Sequence, residues 1–181
     1  MPTRDPAFTD DLPDRLPGPR EEDPLPPRRP ALPRGPLLVA LAGALLGATF
    51  SGVSTGDFMQ HLDRQVHAIH CSFIPGAAKE IAESGCRTVM MSPYSSFFRE
   101  QLWGGIPISL WSLAVFAFLA YRAAHLLWRG EASPSETKVL LLASLVPVAA
   151  SLAYGALSVA KLDALCKVCI GIYASSAIVL V

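Results

Sequence analysis

The sequence carries no net charge: 15 Lys+Arg stand against 15 Asp+Glu over 181 residues. That balance removes the electrostatic case for a nucleic-acid partner. No glycine-rich nucleotide loop is present, and nothing in the chain implies a flavin, a haem or a metal cofactor. Cysteine is scarce, with 4 residues at Cys71, Cys86, Cys166 and Cys169. Only the last two have the short internal spacing of a zinc knuckle, which weakens a structural zinc site. The short basic start of a secretory signal peptide is missing too, because a long proline-rich tail stands in its place.

Hydrophobicity is abundant. It reaches 51% of residues, with a mean hydropathy of +0.39, and it is gathered into a few runs. That is the distribution of a membrane protein. The chain is too short to hold a membrane bundle and a second large domain. Residues 1–35 read as a disordered, proline-rich cytoplasmic tail that buries too little to offset its ordering entropy. Residues 36–181 read as one transmembrane unit.

The first apolar segment runs from Pro36 to about Val53, and helical spacing of Phe58, Met59 and Leu62 extends it toward Leu62. Gly43 and Gly47 lie at the spacing that permits close helix approach. Arg28, Arg29 and Arg34 flank its start, so the N-terminus is assigned to the cytoplasm. His61 to Gly105 is a polar loop on the far side. Amphipathic stretches are expected at Ala77–Ala82 and at Thr88–Phe98, the second interrupted by Pro93. Phe97, Phe98 and Trp103 read as interfacial aromatics. The second span, Ile106 to Leu127, covers roughly 33 Å, enough for a hydrocarbon core of about 30 Å. The third, Val139 to Ala160, contains Pro147 and is expected to kink there. The last segment, Ile170 to Val181, covers only about 18 Å. It reads as a truncated or half-inserted helix, and the natural chain is expected to continue. The fold expected is therefore an all-α membrane protein. It is a four-helix transmembrane bundle with an extracytoplasmic loop carrying short helices.

This topology places all four cysteines on one side of the membrane. Three readings of them compete. Two cysteine pairs can relay electrons by thiol–disulfide exchange, each step being attack of a thiolate on a reachable sulfur. They can be structural disulfides in an oxidising compartment, leaving a non-catalytic stapled membrane protein. Or they can bind zinc in a membrane scaffold, with His70 as a substitute ligand, although a loop histidine is more often solvated. The Cys166-x-x-Cys169 pair opens an apolar run, a position suited to a redox centre where thiols from water meet something dissolved in lipid. Tyr173 is either a belt tyrosine or a polar anchor one helical turn beyond Cys169. Ser92 is either a cap before Pro93 or part of the site. Trp111 reads as a belt or packing residue.

Two motifs bear a resemblance. The stretch Cys86-Arg-Thr-Val-Met-Met-Ser92-Pro-Tyr94 resembles the loop of vitamin K epoxide reductase and its bacterial homologues. Cys166-Lys-Val-Cys169-Ile-Gly-Ile-Tyr173 resembles that family's membrane-edge active site, and Gly105-Ile-Pro107-Ile-Ser109 is similar to bacterial members. Order and spacing agree from about Pro36 to Val181, and the two spacings favour this family over the unrelated DsbB-like bundle. The resemblance implies a quinone-dependent, disulfide-forming oxidoreductase in a bacterial inner membrane. It implies a quinone acceptor, ubiquinone or menaquinone, and a DsbA-like thioredoxin-fold periplasmic partner. By the same resemblance Cys71 meets the partner and exchanges with Cys86, Cys86 bridges transiently to Cys166, and Cys169 faces the quinone. Ser92 lies near the cysteines, and Tyr173 bonds a quinone oxygen. Cys71 and Cys86 are spaced more widely than the family's loop cysteines, which sets the shuttle assignment of Cys71 apart from the rest.

Overall fold

The computed structural model describes residues 33–62, 68–75, 79–80, 85–99 and 104–180. Residues 1–32 of the N-terminal tail, His67, Trp103 and most of Ala77–Ala82 lie outside the described residues, while Arg34 and Gly35 open the first helix. The protein is an all-α membrane protein, with three helices long and apolar enough to cross a bilayer among the described residues. Helix α1 (Arg34–His61) includes the extension past Val53. Its first turn tolerates Pro36, whose missing N–H would find no intrahelical partner there.

Helix α3 (Ile108–Arg129) begins two residues later than hydrophobicity suggests. Ile106–Pro107 is instead a short strand, β4, paired antiparallel with β3 (Ser96–Phe97). The helix closes at Gly130, whose φ of 69° suits glycine, with the Gly130 N–H bonded to the Leu126 carbonyl. Helix α4 (Pro134–Leu162) begins before the apolar run at Val139, because a capping box starts it. The Ser133 hydroxyl accepts the Glu136 N–H while the Glu136 carboxylate accepts the Ser133 N–H. The helix assignment continues unbroken through Pro147. Helix α5 (Lys167–Leu180) is 14 residues long and takes in the second half of the Cys-x-x-Cys pair.

The loop differs from the two amphipathic stretches expected of it. Thr88–Phe98 is split among α2 (Gly85–Met90), a 3-10 turn at Pro93–Ser95 and strand β3. Pro93 has no N–H for a continuing helix. Strand β2 (Lys79–Glu80), within the other stretch, pairs with β1 (Ile69–His70) in place of a helical turn.

Helix α1 is central, packing against α3 and α5, while α4 leans on α5 and turns most of its surface outward. Leu141, Leu142, Leu145, Val146 and Leu152 are exposed on α4, which suits a surface solvated by lipid. Gly43 and Gly47 let α1 approach two neighbours at once. A β-carbon at Gly43 would strike Ile178 of α5, and one at Gly47 would strike the Phe116 ring of α3. Hydroxyl pairs fasten helix interfaces as well: Ser51 to Ser112 and Thr55 to Ser109 between α1 and α3, and Ser151 to Ser176 between α4 and α5, each at 3.0 Å.

Candidate functional site

The loop end of the bundle gathers the sulfur. Cys71 and Cys86 are joined by a disulfide, with Cα atoms 5.8 Å apart. Cys86 is the second residue of α2, and Cys71 directly follows β1. Both are buried, and they share one apolar cluster with Phe50, Ile69, Met90, Val168 and Cys166, against which Cys169 also packs. Residues nearly a hundred positions apart are thus brought together. The clustering joins the second half of α1, the loop and the start of α5.

Cys166 and Cys169 are free thiols. Cys166 stands at the cap position of α5: its carbonyl accepts the Ile170 N–H at 2.9 Å, and its sulfur accepts the Cys169 N–H at 3.3 Å. The Cys169 side chain and the N–H groups of Cys169 and Val168 hold the Cys166 thiol below its ordinary range, against the opposing effect of burial. Hydrogen bonds to the charged form, at the positive end of a helix, favour a thiolate.

One turn further in, a cavity of about 300 Å³ opens among α1, α3, α4 and α5. Its walls are mainly apolar, with Phe58, Trp111 and Pro147 among them, and Cys169 and Tyr173 line it on the α5 side. Ser92 lines it from the loop side. Cys71, Cys86 and Cys166 do not border it. The sulfurs are therefore ordered: a buried disulfide, then a capping thiol, then a thiol on the cavity wall. An apolar slot of this size with a few hydroxyl anchors suits a quinone ring.

Ser92 occupies the residue before the 3-10 turn, but its hydroxyl does not cap that turn. It donates back to the Val89 carbonyl at 2.8 Å, closing the end of α2. Trp111 is half-exposed and also borders the cavity, so it belongs to both surfaces. Phe97 and Phe98 are exposed.

Sequence reasoning missed two features. Tyr154 of α4 lines the cavity together with Tyr173, and the only signal was a tyrosine deep in an apolar run. The other is the pairing of Asp57 with His70. Asp57 is 2% exposed; its carboxylate accepts the His70 backbone N–H at 2.7 Å and meets the His70 ring Nδ1 at 2.8 Å. His70 is thus a docked residue and not the solvated loop histidine expected. A single carboxylate near the end of an otherwise apolar helix was the available signal, because such a charge is costly without a partner. Among the described residues, no group of three or more His, Cys, Asp or Glu is placed to hold a metal ion.

The model of the vitamin K epoxide reductase family matches residues 38–181, which include all four cysteines and all or most of every helix. No curated protein matches the chain at a significant level. The matched length is most of the chain, and it falls on the segment that builds the sulfur cluster and the cavity. The chain belongs to the vitamin K epoxide reductase family, a family of membrane thiol oxidoreductases.

Proposed function

We propose that this protein is a membrane thiol:quinone oxidoreductase that reoxidises a thioredoxin-fold, DsbA-like protein outside the cytoplasm and delivers the electrons to ubiquinone or menaquinone. The observation that carries this reading is the ordered approach of four sulfurs to one apolar cavity. A partner thiolate attacks Cys71, breaking the Cys71–Cys86 bond and leaving the electron pair on Cys86. The partner's second thiol then releases itself as a disulfide, and Cys71 and Cys86 are left reduced. Their electrons pass to Cys166 and Cys169 through a Cys86–Cys166 bridge.

A quinone bound in the cavity accepts two electrons and two protons. The chain's part is to bring Cys169 to the cavity wall, keep Cys166 as a ready thiolate, and offer Tyr173 as a phenol donor where negative charge develops. Formation of the Cys166–Cys169 disulfide supplies the electron pair. Every 30 mV between the two couples is worth about 1.4 kcal/mol for this two-electron exchange.

The test is anaerobic mixing of the purified protein with a reduced thioredoxin-fold oxidase and ubiquinone or menaquinone analogues, following quinol. We expect quinol in proportion to the partner disulfide formed, and none from Cys169→Ala. Quinol formation by Cys169→Ala at the parent rate would sink the relay.

A further inference from the structure

The internal exchange needs Cys86 of α2 and Cys166 at the head of α5 to meet, although both are almost fully buried. Each has a neighbour in sequence that touches the other's segment. Gly85, the first residue of α2, lies against the backbone of Leu165, which immediately precedes Cys166. A β-carbon on residue 85 would sit inside contact distance of the Leu165 carbonyl oxygen and 3.1 Å from the carbonyl carbon. Both of those atoms are backbone, so no side-chain rotation relieves the overlap.

The Leu165 side of this contact is held firmly. The α4–α5 link is stapled by Ser158, whose hydroxyl donates to the Ala164 carbonyl at 2.5 Å and whose own carbonyl accepts the Ala164 N–H at 3.4 Å. Beyond Leu165, Cys166 is fixed by its capping bonds to α5. On the other side, α2 packs Cys86 and Met90 into the apolar cluster that also holds Ile69 and Cys166. Two braced segments therefore meet at a place where only a residue without a side chain fits.

We propose that Gly85 is a positioning residue for the internal exchange: its missing side chain lets α2 seat on the α4–α5 link so that Cys86 lies in line with Cys166. This inference rests on the relay proposed above. In the step itself, the Cys86 thiolate attacks the Cys166 sulfur of a Cys166–Cys169 disulfide. A Cys86–Cys166 bond forms, the Cys166–Cys169 bond breaks, and Cys169 leaves as a thiolate. The Cys71 thiolate then attacks Cys86, and Cys166 leaves as a thiolate held by the Cys169 N–H. Two electrons have moved from the loop pair to the membrane pair; of the two loop protons one ends on Cys169 and the other is released to water, with Cys166 left as the thiolate.

The test needs neither quinone nor partner. In full-length protein carrying Cys71→Ser and Cys169→Ser, only Cys86 and Cys166 remain, and diamide as two-electron oxidant drives their bridge, followed by non-reducing peptide mapping. We expect Gly85→Ala to slow this bridge by roughly a hundredfold, the scale of an ångström of misplacement. Gly52→Ala, where nothing lies within 4 Å of an added β-carbon, is expected to leave the rate unchanged. In a Cys166→Ser, Cys169→Ser background the Cys71–Cys86 bridge should form at the same rate with or without Gly85→Ala, since that pair does not depend on the contact. Equal slowing of both bridges, or slowing of neither, overturns the positioning role. If Gly85→Ala does not fold, the parent decides: Cys86–Cys166 must bridge faster than Cys71–Cys166 in the matched Cys86→Ser, Cys169→Ser protein, and equal rates overturn the proposal. Because quinol is never measured, failure here is distinct from failure of the thiol:quinone reading.

Discussion

At the scale of single residues, the chemistry turns on where a thiolate is cheapest. Cys166 has the stronger claim, because it caps a helix and accepts hydrogen bonds from the Cys169 side chain and from backbone N–H groups. Its depressed pKa means that the thiolate persists as pH falls through the ordinary thiol range and is protonated only below it. Removing the Cys169 thiol takes away the largest cause of that shift and leaves the backbone donors in place. We therefore expect the titration midpoint of Cys166, read by ultraviolet thiolate absorbance, to move upward in Cys169→Ala. The Cys71–Cys86 bridge contributes no thiolate, so Cys166 is the only thiol titrating in that variant. An unmoved midpoint would show that the neighbouring thiol does not stabilise the charge. Tyr173 and Ser92 act at the same scale by different routes. The phenol lies on the cavity wall, whereas the serine hydroxyl closes α2 and shapes the wall from behind.

At the scale of elements, the Asp57 clamp is a polar contact that holds the loop to the bundle. One buried carboxylate ties the end of α1 to the backbone and ring of His70, one residue before Cys71. Asp57→Ala leaves the part-buried His70 N–H without its acceptor, a loss of about 1 kcal/mol. The expected outcome is faster amide exchange at Ile69–Cys71 and a lower Tm, with Asp57→Asn falling between because an amide oxygen still accepts one bond. Unchanged exchange in the alanine variant would mean that the disulfide alone docks the strand.

The same elements show what the sequence made legible. Long apolar runs exposed three helices, and the spacing of Gly43 and Gly47 exposed the close approach of α1. Hydrophobicity could not place the start of α4, since Ser133 and Glu136 extend it through a polar first turn by hydrogen bonds. Nor could periodicity resolve the loop, where two-residue strands and a proline turn replace helix. The partner of Asp57 stayed hidden because it lies 13 residues away in a segment with no periodic signal. Gly85 looked like any loop glycine, because its reason is a backbone across the site.

At the scale of the whole molecule, the proposed function requires the two ends of the bundle to face different compartments. The cysteine cluster occupies the end formed by the loop and the α4–α5 link, and the opposite end is formed by the start of α1 and the α3–α4 turn, joined through Leu37, Leu126 and Ala132. About 33 Å of α3 separates them. The net charge is zero, yet its distribution is not even. Arg34, Arg129 and Lys138 stand at the turn end against Glu131 and Glu136, the last paired with Arg129 at 2.8 Å. Under the proposed function that end lies in the cytoplasm, the side the positive-inside rule gives to the arginines flanking the start of α1, and the sulfurs face outward. A membrane-impermeant maleimide applied to intact cells after mild reduction should therefore label the native cysteines. A cysteine placed at Glu131 in the α3–α4 turn of a protein lacking the other four should be labelled only after the membrane is opened. Labelling of the residue 131 site from outside would overturn this orientation, and labelling of the loop and link cysteines from opposite sides would leave no common compartment in which a partner thiol, Cys71, Cys86 and Cys166 could exchange.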